Sequence, residues 1–236
     1  MIKNIHTILQ PFKFRLTVFG ILSGASVLCM ALFRIRIMLS DTTEYAFLIW
    51  NLFLAWIPLG MAYMVSFAKK RRYVLITVPF AAALWLLFFP NAPYILTDLQ
   101  HLGRPHTGMP IWFDMLLINW FAWTGLLLGV FSLFMMHDIV RRMLGRIAGW
   151  GFVITVSALS GLGIYMGRFL RWNSWDLLFR PLELLQELIQ YALNPSMQSI
   201  VFISIFSAFF TFIYISLYAF GLLFQEQAHH ISQEIT

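Results

Sequence analysis

Six stretches of this chain are long and apolar enough to cross about 30 Å of hydrocarbon as helices, and that removes most folds from consideration. They cover residues 16–33, 45–67, 73–89, 115–136, 148–166 and 200–224. Inside a bilayer every backbone N–H and C=O must find its partner within the protein, which leaves only helices or a closed barrel, and runs of this length select helices. The expected fold is therefore all-α, a single polytopic domain over residues 1–236 built as a bundle of six transmembrane helices. Composition agrees. Only 11% of the residues are charged, against roughly 25% in soluble domains, and 24 Phe residues exceed what a soluble core of this size would hide. The third run is the shortest and carries Pro79, which predicts a kink or an irregular end. The single cysteine, Cys29, lies inside the first run, so neither an intrachain disulfide nor a thiolate metal cluster can form, and it reads as a small buried hydrophobe. The basic N-terminal segment has no small-residue cleavage site after its apolar stretch, so that stretch reads as a retained helix rather than a signal peptide.

Orientation follows from the basic residues. With the N-terminus inside, ten of the 16 Lys and Arg residues fall in the cytoplasm, among them the run Lys69-Lys70-Arg71-Arg72. Acidic residues, a weaker guide, split the other way, with seven of ten outside. This predicts both termini cytoplasmic. A net charge of +6 would also suit a nucleic-acid binder, but the basic residues sit in short clusters between apolar runs, as membrane insertion requires, so no nucleic acid is expected. The cytoplasmic connections are short, whereas two outer ones are long, about 90–114 and 167–199, so any chemistry is expected to face out. In the second, PLELLQELIQYAL (Pro181–Leu193) repeats Leu182, Leu185, Ile189 and Leu193 near helical spacing with Glu183, Glu187 and Gln190 between them. That pattern predicts an amphipathic helix, lying either at the outer membrane interface or against the protein.

Both long connections are polar and lie on one predicted side, so Asn91, Asp98, His101, Asp114, Arg168, Arg171, Asn173 and Asp176 form a candidate cluster. Pro90 to Pro93 reads as a turn leaving the third helix. If a short helix follows, Asp98 and His101 stand at i and i+3 on one face, able to share a proton or jointly ligate a metal; the plainer alternative is a carboxylate bonded to loop backbone beside a surface histidine. Asp98, His101 and Asp114 are the catalytic candidates. Arg168 and Arg171, one helical turn apart after Gly163 and Gly167, are the ligand-binding candidates with Asn91, Asn173 and Asp176, because two guanidinium groups can grip a phosphate or carboxylate. The alternative is that these arginines pair with Asp98, Asp114 or Asp176 and tie the loops together. Trp172 and Trp175 read as interfacial anchors. The expected partners are the lipid bilayer, an anionic lipid or lipid-linked substrate, and other membrane proteins if the chain is instead a scaffold. No metal site is expected, and the cofactor stays open.

Several sharper chemistries lack their residues. No HExxH, P-loop or dinucleotide fingerprint occurs. Ser160-Gly161 would suit an intramembrane nucleophile, but all six histidines lie outside the assigned runs, which leaves it without a base and haem without a ligand. Isolated charges deep in the runs are also missing, which disfavours proton-coupled transport. Asn51 and Asn119 are the polar exceptions and read as hydrogen-bond partners between helices.

The segment FFPNAPYILTDLQHL (88–102), then Trp112-Phe113-Asp114 and GRFLRWNSWD (167–176), resemble a family of uncharacterised bacterial multi-pass membrane proteins classified as a domain of unknown function. The resemblance extends from about the second helix onward. It implies a bacterial plasma-membrane setting and supplies no substrate, cofactor or catalytic residue.

Overall fold

The computed structural model describes residues 2–68, 71–102, 109–173 and 175–234. Lys69, Lys70, Arg104, His106 and the Ser174 of GRFLRWNSWD lie outside the described residues. The described chain is helical: α1 (Ile2–Ser40), α2 (Phe47–Phe67), α3 (Arg71–Phe88), α4 (Asn91–Tyr94), a 3-10 turn (Ile95–His101), α5 (Ile111–Leu144), α6 (Arg146–Tyr165), a π turn (Met166–Leu170), α7 (Asp176–Phe179), α8 (Pro181–Leu193) and α9 (Met197–Glu234). Among the described residues, six helices have the length and apolarity to cross a membrane: Arg15–Ser40, Phe47–Phe67, Leu75–His101, Ile111–Leu144, Arg146–Leu170 and Met197–Gln227. The six expected crossings are all present.

Their ends differ from the expectation. The first helix continues past residue 33 to Ser40, and the fourth crossing runs over 34 residues from Ile111 to Leu144. At about 1.5 Å per residue that is roughly 50 Å, well beyond the hydrocarbon, so apolar length alone underestimates helices whose ends find polar partners. Pro79 sits within α3. The chain turns at Phe89–Pro90 and resumes as α4 and the 3-10 turn, so the irregular end expected of this crossing is present.

The chain divides into two compact units, residues 1–59 with 91–129, and residues 60–90 with 130–236. In the first, the α5 glycines admit the 91–95 segment: a Cβ on Gly125 would stand 2.7 Å from Ile95 Cδ1 and 2.8 Å from the Ala92 carbonyl oxygen, and one on Gly129 would stand 3.0 Å from Ala92 Cβ. In the second, the indole of Trp85 stacks on Phe152 at 5.7 Å and lies 4.8 Å from Phe89, whose ring meets Phe210 edge-on at 5.8 Å. A Cβ on Gly161 would strike Ser207 Oγ at 2.5 Å and the Ile203 carbonyl at 3.0 Å, so α6 and α9 touch nearly backbone to backbone, as small residues permit between membrane helices.

Two histidines fall inside the crossings rather than outside them: His101 ends the third, and the other is His137. It lies in α5, 1% exposed, with Nδ1 2.7 Å from the Tyr214 hydroxyl and its ring 4.9 Å from Trp150. The serine nucleophile gains nothing from it, because His137 sits against Gly149 and Ser160 is eleven residues further along α6, roughly 16 Å away along the axis.

Candidate functional site

In the first unit, four charged or polar groups converge where α1 ends and α2 and α5 begin. Arg36, on the last turn but one of α1, is 0% exposed, and Asp114, in the first turn of α5, is 4% exposed. Arg36 Nε donates to Asp114 Oδ1 at 2.8 Å and Nη2 to Oδ2 at 3.4 Å, the two-pronged arrangement that suits a guanidinium and a carboxylate. Arg36 Nη1 donates to Thr42 Oγ1 at 2.9 Å, and its guanidinium carbon lies 4.3 Å from the centre of the Tyr45 ring. The negative end of α1 and the positive end of α5 favour this pair, with the cation near one and the anion near the other.

Tyr45, immediately before α2, is 1% exposed. Its hydroxyl donates to the His101 carbonyl oxygen at 3.3 Å. Burial pushes the Tyr45 phenol above its ordinary pKa, and the negative charge of Asp114 adds to the rise. Tyr45 thus joins the Arg36–Asp114 pair to the end of the 3-10 turn.

That turn carries Asp98 and His101. Residues three apart eclipse in 3-10 geometry, which places both on one face. His101 Nε2 stands 3.9 Å from Asp98 Oδ1, too far for a hydrogen bond and an ion pair only when the imidazole is protonated. Asn51 Nδ2 donates to Asp98 Oδ2 at 2.9 Å, so the expected partner role of Asn51 is realised with a carboxylate, while Asn119 turns back to the Met115 carbonyl of its own helix. Phe47 meets the His101 ring edge-on at 5.0 Å. The side chain of Asp98 is 1% exposed and that of His101 15%, so the imidazole is the reachable member of the pair. A buried carboxylate beside a reachable, sterically held imidazole is suited to proton exchange. Among the described residues no group of three His, Cys, Asp or Glu side chains is gathered, and two ligands alone make a poor metal site.

The second unit holds the other candidates. Arg168 lies in the π turn, whereas Arg171 follows it at φ +61°, a left-handed conformation. The helical register that would align the two arginines one turn apart therefore ends before Arg171. The cause is the wide closure of the helix: the N–H groups of both Arg171 and Trp172 bond to the Met166 carbonyl. Arg168 is half-buried and Arg171 exposed. The Asn173 N–H donates to Asp176 Oδ2 at 2.7 Å, so Asp176 caps a local turn. Trp172 Nε1 donates to the Glu187 carboxylate, and Arg180, paired with Glu183, lies 5.3 Å from the Trp172 ring centre. Asn91 opens α4 in the first unit.

The structure thus brings Asp98 to His101 and Asn173 to Asp176, and supplies Asp114 with a partner, Arg36, that the sequence reading missed. Tyr45 and Thr42 were missed too. The available signal was the pair of arginines in FRIR, carried on past an apolar run that had not yet ended as a helix.

A family profile described as a protein of unknown function (DUF1361) matches residues 50–232. No curated protein and no solved structure matches the chain.

Proposed function

The chain belongs to the DUF1361 family of proteins of unknown function, and we propose that this multi-pass membrane protein binds an anionic lipid or lipid-linked ligand through Arg168 and Arg171. The observation that carries this reading is Arg171 itself. A non-glycine residue in the left-handed region is disfavoured by about 1–2 kcal/mol, and here it follows a π turn, a feature frequent at functional sites. The exposed Arg171 directly follows the fifth membrane-crossing helix, which ends at Leu170, and Trp172 and Trp175 come next in the sequence. The proposed setting is a bacterial plasma membrane with both termini cytoplasmic, which places these arginines on the outer face, in reach of head groups. Native mass spectrometry of purified protein tests it: one anionic lipid should be retained by the wild type and lost in Arg168→Ala and Arg171→Gly. Equal retention in all three would refute it.

A second reading concerns the first unit and stands on its own observation, the reachable imidazole beside a fully buried carboxylate. Asp98 and His101 would serve as an acid–base pair braced by Asn51, Tyr45 and Phe47. Asp98→Asn and His101→Gln should then abolish function in cells at unchanged protein level and detergent stability, since proton exchange depends on these groups while packing does not. Wild-type function in His101→Gln removes this role.

A further inference from the structure

Helix α8 carries its side chains on three separate faces. Leu184, Glu187, Leu188 and Tyr191 are half-buried and, at spacings of three and four, form the side turned to the rest of the unit: Tyr191 meets Tyr165 of α6 edge-on at 5.8 Å and Glu187 accepts from Trp172. On the opposite side Leu182, Leu185, Ile189 and Leu193 are 73%, 53%, 50% and 72% exposed. Glu183, Gln186 and Gln190 form a polar edge between the two. A helix held to the protein along one side thus leaves an unbroken aliphatic stripe on the other, and stripes of this kind mark contact surfaces.

We infer that this stripe docks into the bilayer, with α8 lying along the head-group boundary and its aliphatic face in the acyl region. Three observations select lipid as the occupant. The segment joins the end of α6 to the start of α9, two membrane-crossing helices in close contact, so it sits at the level where both leave the hydrocarbon. The surface flanking it is already of the lipid-facing kind, with Phe169, Met197, Ile200 and Val201 all exposed. At 13 residues the helix spans about 20 Å, too short to cross. The docking is driven by apolar insertion rather than charge, because Pro181–Leu193 contains two glutamates and no lysine or arginine, and Arg180 is committed to Glu183. Surface helices that read anionic lipid carry basic polar faces; any head-group preference of this region must come from the arginines ending α6. The inference does not depend on those arginines binding a ligand.

The test uses the full-length protein in vesicles, in a Cys29→Ala background, with a fluorophore on a cysteine at Ile189 or Gln190 and, as a second pair, at Leu185 or Gln186. The Ile189 and Leu185 probes should be quenched by a shallow nitroxide on the lipid chain and shielded from aqueous iodide. Gln190 and Gln186 probes should show the reverse. The pattern should be the same in pure phosphatidylcholine and with added phosphatidylglycerol. Iodide reaching Ile189 as readily as Gln190 would place the stripe in water and overturn the inference. Shielding of Ile189 from both quenchers would show a second copy or another protein on the stripe and overturn it equally, as would lipid quenching that appears only with the anionic lipid.

Discussion

Arg36 and Asp114 illustrate how a membrane protein keeps two charges away from water. Each alone would be costly in a low-dielectric surrounding, and the arrangement holds because every charged atom has a partner. Removing one side strands the other. Arg36→Leu or Asp114→Leu should therefore lower unfolding free energy in detergent by about 3–5 kcal/mol, whereas the double variant should lie much closer to wild type; equal losses in the single and double variants would show that the pair is not coupled. Tyr45 adds a pH dependence. Its phenol has a raised pKa in the folded state, so above the ordinary value near 10 the unfolded chain releases this proton while the folded one holds it, and stability falls as pH rises through that range. In Tyr45→Phe the overall stability should be lower, and its decline above about pH 10 shallower, by thermal melts across the alkaline range. None of this was legible in the sequence. Asp114 was visible as a polar residue after a long connection, but its partner stood beyond the apolar count of the first run, and a partner 78 residues away leaves no periodic trace. Asp98 and His101 were legible, because two residues three apart share a face in any tight helical turn.

At the scale of elements, the six crossings could be read because hydrocarbon thickness imposes a minimum length that few other constraints imitate. The departures occur where local closure competes with that rule. The 91–101 segment turns at Pro90, restarts as one α turn and tightens to 3-10, and it can do so because Gly125 offers no side chain against Ile95 and Ala92. Gly125→Ala would place a methyl under 3 Å from both, so it should cost about 1–3 kcal/mol and displace the turn that carries Asp98. Hydrogen exchange of residues 91–101 would report the displacement; unchanged protection and stability would mean that the helix yields instead. The π turn after α6 was equally hidden, since helical spacing in the sequence carries no mark of where the register widens. Glycine accepts φ +61° without strain. Arg171→Gly should therefore be neutral or stabilising by about 1 kcal/mol, and Arg171→Val destabilising. Destabilisation by glycine as large as that by valine would mean that the guanidinium supports the fold.

For the molecule as a whole, the number of crossings and the side of each connection are separate questions. Six crossings are an even number, so the chain enters its first crossing and leaves its last on the same side whichever side that is. The choice of side rests on charge: lysines and arginines in short connections are retained on the cytoplasmic face, each adding to a bias that the acidic residues scarcely oppose. The short connection between the second and third crossings carries Lys69, Lys70, Arg71 and Arg72, and at the junction of the fourth and fifth Arg141 and Arg142 end α5 and Arg146 begins α6, the first two paired with Asp138 at 3.2 and 2.5 Å. The long connections hold Arg104 and Arg168 to Arg180 but lie on the opposite side by parity. With single cysteines placed in turn at Lys70, Arg104 and Asn173, a membrane-impermeant maleimide added to intact cells should label the last two, and label Lys70→Cys only after the membrane is opened. Labelling of Lys70→Cys in intact cells would invert the orientation and carry the arginines ending α6 to the cytoplasmic face. Labelling of Arg104→Cys and Asn173→Cys from opposite sides would instead break the parity and reduce the number of crossings between them.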